Sequence, residues 1–148
     1  MIQRIQTIFL ALILLITAAM FILPVYNITI LQDGQSFITG RKLQDLKILS
    51  LSIGAINLIA IIAIFLYKNR KRQLLVVNTG LLLSLALFVL CISLPRIFSA
   101  AYLITQNQAV AEYGMSIYLM AIIPALFFFA GRRIKKDEDL VKAADRLR

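Results

Sequence analysis

The sequence contains no histidine, no tryptophan and a single cysteine, Cys91. Without histidine, the commonest general base and the commonest neutral metal ligand are both missing. A lone cysteine forms no intramolecular disulfide and no Cys-x-x-Cys redox pair. Charge is scarce as well: Asp, Glu, Lys and Arg make up 16% of the 148 residues, against about 25% in an average soluble domain. So little polar sequence does not cover a water-facing globule of this size. What is present instead is apolar, at 61%, a composition that suits a hydrocarbon solvent.

The scarce charge is mostly positive, 16 basic residues against 7 acidic ones for a net +9. A nucleic-acid partner needs such cations gathered on one folded face. Here they stand in short clusters at the ends of apolar runs, the pattern that membrane insertion leaves. The partners expected are membrane lipids, with another membrane or cytoplasmic protein a further candidate. No nucleic acid, metal or cofactor is expected.

Four apolar stretches run from Ile5 to Leu23, Ile48 to Tyr67, Leu74 to Leu94 and Ser116 to Ala130. A helix needs about 20 apolar residues to cross the hydrocarbon core. The first three suffice; the fourth does if the weakly polar residues back to 112 join it. No Asp, Glu, Lys or Arg interrupts these stretches, so none carries the insertion cost of a central charge, about 2.5–3.5 kcal/mol. Backbone at that depth has no water to bond, so the stretches are helices or strands of a closed barrel. Barrel strands alternate in polarity, and these runs are apolar all round, which selects helices. The first run is too long for a cleaved secretory signal and leads into more apolar sequence, so it is read as a retained span.

The expected fold is therefore all-α: a four-transmembrane-helix bundle with a short outer β-hairpin-like loop and a short cytoplasmic amphipathic helix. The spans are about 5–23, 48–67, 74–94 and 112–130, within a membrane domain of residues 1–131. A basic tail follows over 132–148. Of the 16 Lys and Arg residues, 12 fall on one side: Arg4, the 68–72 loop, and the tail. Arg41, Lys42, Lys47 and Arg96 fall on the other. The positive-inside rule puts both termini in the cytoplasm.

The outer loop holds two β-prone runs around Asp33-Gly34, a hairpin signal. The loop between spans two and three is short, which makes them antiparallel neighbours. The loop from Pro95 to Glu112 is expected on the membrane surface, and Pro24 and Pro95 are expected to stop helices. Pro124 falls inside the fourth span, where it removes a backbone donor. In the tail, Leu140, Ala144 and Leu147 recur at helical spacing. With Arg132, Arg133, Lys135 and Lys136 they are candidates for docking on lipid headgroups or on a cytoplasmic partner.

Within the spans, Asn57 and Asn78 are the polar residues that most need partners. Between helices such groups act as glue, for which Ser50, Ser52, Ser84 and Thr17 are within reach by spacing. Ser50 with Gly54, Gly80 with Ser84, and Ala121 with Ala125 place small residues four apart, a device for close helix packing. An ion or proton path usually shows an ionisable group in the membrane, and a reaction needs a nucleophile, base or metal set. Neither is found, so no catalytic, cofactor or metal residue is assigned.

The start Met1-Ile2-Gln3-Arg4-Ile5-Gln6-Thr7, the Lys68-Asn69-Arg70-Lys71 loop and the tail from Arg133 to Val141, closing on Asp145-Arg146-Leu147-Arg148, resemble a family of small four-span membrane proteins from Bacteroidota-type bacteria, catalogued as domain of unknown function 4293. The resemblance implies a bacterial inner membrane and carries over no active site. The function expected is a non-enzymatic accessory, scaffold or interaction subunit. The alternatives are a small oligomeric transporter or channel and, behind it, a membrane-embedded enzyme or an envelope sensor.

Overall fold

A computed structural model of the chain describes residues 3–32, 35–42, 46–104 and 108–146. Four helices form in the described residues: α1 (Gln3–Met20), α2 (Lys47–Phe65), α3 (Arg70–Ile104) and α4 (Met115–Arg146). Each packs on its neighbours in chain order and α4 closes back on α1. The ring is up-down-up-down, the arrangement that short connections between antiparallel helices favour. A 3-10 turn, Leu66–Lys68, joins α2 to α3. Buried Gln73 clips that joint, its amide donating to the Ala63 carbonyl at 2.9 Å.

The core is the inward stripe of each helix: Leu10 and Ile13 on α1, Ile53, Ile56 and Ala60 on α2, Val77 and Leu87 on α3, Ile123, Phe127 and Ala130 on α4. The outward stripes are apolar too. Leu15, Leu51, Leu58, Leu82 and Val89 are each more than 60% exposed, mid-helix positions that water would not tolerate in such numbers.

One end of the ring is capped by a sheet. Strands β1 (Pro24–Gln32), β2 (Gln35–Lys42) and β3 (Gln108–Tyr113) pair antiparallel in the order β2-β1-β3. Tyr26 lies opposite Arg41 on one side and Tyr113 on the other, with a register shift between Pro24 and Tyr26. Val25 and Tyr26 are buried against the helices, and this docking together with the third strand supports a hairpin that would be marginal alone. The Asp33-Gly34 pair lies outside the described residues.

Four expectations are corrected. The 95–112 stretch is not an irregular loop, because its first part to Ile104 continues α3 and its last residues, from Gln108, belong to β3, which pairs with β1. The fourth helix starts at Met115 rather than 112, with Glu112 and Tyr113 in the strand. Pro95 does not stop α3, which runs on to Ile104; a proline removes one donor, and where water is absent a continuous helix leaves fewer backbone groups unpaired than a break would. The tail is also no separate short helix: α4 continues unbroken through Pro124 and Gly131 to Arg146.

Gly80 shows how closely α3 approaches its neighbours. A Cβ there would sit 2.7 Å from Phe127 Cε1 and 2.9 Å from Ile59 Cγ2, whereas a Cβ at Gly54 meets nothing within 4 Å. Gly80→Ala is expected to destabilise the bundle by about 1–3 kcal/mol through overpacking, less the helix-propensity gain. Gly54→Ala is expected to keep the whole propensity gain, up to about 1 kcal/mol. Cys91, 1% exposed, supplies the readout: a thiol-reactive dye labels it as the protein unfolds. Equal shifts for the two variants would contradict the packing described.

Candidate functional site

The polar groups inside the bundle collect at two levels. At the end opposite the sheet, α1, α3 and α4 meet at a junction. Gln6 and Asp137, both about 95% buried, are joined by a hydrogen bond from the Gln6 amide to Asp137 Oδ2. Arg70 donates to the Asp137 backbone carbonyl at 2.6 Å, beside the Gln73 clip. A cleft of about 420 Å³ opens next to the junction, between Thr7, Ala11, Ile64 and Tyr67. Glu138, one residue on, points away and pairs with Lys142 at 2.8 Å.

Midway along the bundle, Thr17 Oγ1 donates to Asn57 Oδ1 at 2.7 Å, linking α1 to α2. The same hydroxyl lies 2.9 Å from the carbonyls of Ile13 and Leu14. It has one proton, and the shortest contact goes to the asparagine. The Thr17→Val and Asn57→Leu variants are expected to show a coupling of about 0.6 kcal/mol in a double-mutant cycle, the average for such bonds between membrane helices. Additive effects would show that the two groups do not act as a pair.

The other residues singled out by spacing are placed as follows. Gly80 is at the close approach of α3 to α4 and α2, and Ser84 is buried, bonding back to the Leu81 carbonyl. Asn78 is exposed, its side chain beside Gly131 of α4. Ser50 bonds back to Lys47, and Gly54 stands in open space. Ala121 and Ala125 lie on the outer face of α4, as do Arg132, Arg133, Lys135, Lys136 and half-exposed Leu140. The position of Ala144 is on α4 without its side chain described, and Leu147 lies outside the described residues.

Sequence reasoning missed the junction. Asp137, the first of three consecutive acidic residues with Glu138 and Asp139, continues the buried stripe Ile123, Phe127, Ala130, Ile134 at steps of three and four. That spacing was the available signal. It also missed the joint at the sheet end, where Gly114 N–H donates to the Val25 carbonyl at 2.9 Å and Ser116 Oγ to the Leu23 carbonyl at 3.0 Å.

Among the described residues, every buried side-chain nitrogen or oxygen has a hydrogen-bond partner, and no group of three or more Cys, Asp or Glu is placed to hold a metal ion. The arrangement defines a class: a helical bundle in which three helices, within Lys47–Lys68, Arg70–Leu94 and Met115–Ala143, are long and apolar enough to cross a membrane, with a shorter apolar helix over Ile5–Met20. The chain belongs to the family described as domain of unknown function (DUF4293), whose model matches residues 2–147. No curated protein and no solved structure matches it.

Proposed function

We propose that the chain is a four-span protein of the bacterial inner membrane, with both termini cytoplasmic, that serves as a non-enzymatic accessory or scaffold subunit. The span beyond the three long apolar helices is α1. It lies antiparallel to α4, tied to it by Gln6–Asp137 at one end and by Leu23–Ser116 at the other. The stretch of α4 between those ties, from Ser116 to Asp137, is about 32 Å long at 1.5 Å per residue, with its apolar part to Ala130 in the hydrocarbon and Arg132 to Lys136 reaching into the headgroup layer. The clustering of Lys and Arg sets the orientation.

The observation that carries the scaffold role is where the polar chemistry goes. The buried polar side chains are occupied in holding helices to one another or to their own backbone. Meanwhile α4 extends past its apolar stretch with Leu140 and Val141 half-exposed, which offers a partner an apolar strip. Crosslinking in cells at native expression, followed by purification and mass spectrometry, tests this. The expected result is one protein recovered at near-equal amount, and lost with Leu140→Glu and Val141→Glu. A homo-oligomer without a partner that conducts solute in proteoliposomes would replace this reading with a channel or transporter.

A further inference from the structure

We propose that the outer face of α4 around the end of its apolar stretch is a binding site for an anionic glycerophospholipid. Two halves of one ligand are matched by two halves of this face. Below Ala130 the face is apolar: Ile122, Phe128 and Phe129 are 44%, 49% and 49% exposed, and the small side chains of Ala121 and Ala125 are exposed on the same face. Above it stand Arg132, Arg133, Lys135 and Lys136, all exposed. These four cations occupy about 6 Å of helix axis, comparable to the depth of one headgroup layer.

The basic half is a groove rather than a scatter of side chains. Its volume is about 520 Å³, with Phe129 at the apolar end, the four cations along it and Asp139 at the far rim. Arg132 is held over the Phe128 ring at 5.5 Å, which orders the guanidinium while leaving its edge donors free for a bidentate phosphate contact. The nearby carboxylates do not neutralise the groove. Asp137 is turned inward to Gln6 and Glu138 is paired with Lys142, so four cations face one acid. A second copy of α4 suits the face poorly, because its own four cations would be brought against these.

The proposal needs α4 in a bilayer and is independent of the scaffold role: loss of the protein partner leaves lipid retention intact, and the reverse. The test is native mass spectrometry of the full chain extracted from vesicles of equal phosphatidylglycerol and phosphatidylethanolamine. Retained phosphatidylglycerol is expected in excess by on the order of tenfold, as a few interfacial cations provide. The variant R132Q/R133Q/K135Q/K136Q is expected to retain the two lipids equally. The variant K68Q/K71Q/R72Q, with charge removed from the α2–α3 joint, is expected to keep the preference. Cys91 labelling checks that each variant is folded. Millimolar glycerophosphoglycerol or inorganic phosphate is expected not to displace the lipid.

Three results would overturn the proposal. Equal loss of the preference in both variants is the first, since it would assign the preference to bulk charge rather than to this face. Displacement by the soluble phosphates is the second, since it would mark a free-anion site. The third is disulfide formation between copies through Ala125→Cys in a Cys91→Ser background, which would assign the face to a dimer.

Discussion

Gly114→Ala is expected to lower the unfolding midpoint of the detergent-solubilised protein by about 10 °C, the consequence of about 3 kcal/mol of overpacking in a chain of this length. Gly114 sits between β3 and α4, where the chain passes against the β1 backbone. A Cβ there would lie 2.7 Å from the Val25 carbonyl carbon and 2.8 Å from that of Pro24, and closer still to the Pro24 oxygen. These are main-chain atoms at the start of the central strand, and no rotamer change moves them aside. Displacing Gly114 also strains its hydrogen bond to Val25 and, two residues on, the Ser116–Leu23 bond. The effect is local to the sheet end but reaches the core through buried Val25 and Tyr26. Cys91 labelling against temperature measures it. A midpoint unchanged within about 2 °C, less than 1 kcal/mol at this chain length, would show that the sheet is not clamped to the bundle as described.

The second large effect is at the other end. Gln6→Leu removes the donor to the buried Asp137 carboxylate, and Asp137→Leu removes the acceptor of the Gln6 amide. Each single change leaves a buried polar group without its partner, at a cost of about 1–3 kcal/mol, more where a carboxyl rather than an amide is left behind. Gln6→Leu is therefore expected to be the worse of the two. The double variant removes both groups together and is expected to recover much of the loss, because apolar replacement of a whole pair is close to neutral. The Arg70 bond goes to the Asp137 main chain and is retained throughout. Losses that simply add in the double variant would mean that the two side chains do not depend on each other.

The two ends differ in how far the sequence reveals them. The apolar runs gave the helices and their order, because a helix in hydrocarbon must be apolar over its whole length. The β-prone segments either side of Asp33-Gly34 marked the first two strands. The third strand was hidden: Gln108–Tyr113 is short, and its pairing partner lies some 80 residues away in the chain, so no local pattern announces it. Pro95 misled because the rule that proline ends helices is drawn from chains whose freed carbonyls meet water. Small-residue spacing separated poorly: Gly80 lies at a close contact while Gly54 stands open, and spacing alone does not say which side of a helix faces inward. Asp137 was obscured by its own charge, although the 3.6-residue period of its apolar neighbours pointed inward.

The most direct test of the account is the sidedness of four single cysteines in a Cys91→Ser background: Gln3→Cys, Lys68→Cys, Glu112→Cys and Ala143→Cys. A membrane-impermeant maleimide is applied to spheroplasts and then to lysed membranes. The account predicts labelling of position 112 in intact spheroplasts, and of 3, 68 and 143 only after lysis. Labelling of position 3 together with 112 from outside would mean that α1 does not cross the membrane, and it would contradict the four-span bundle on which the proposed role rests.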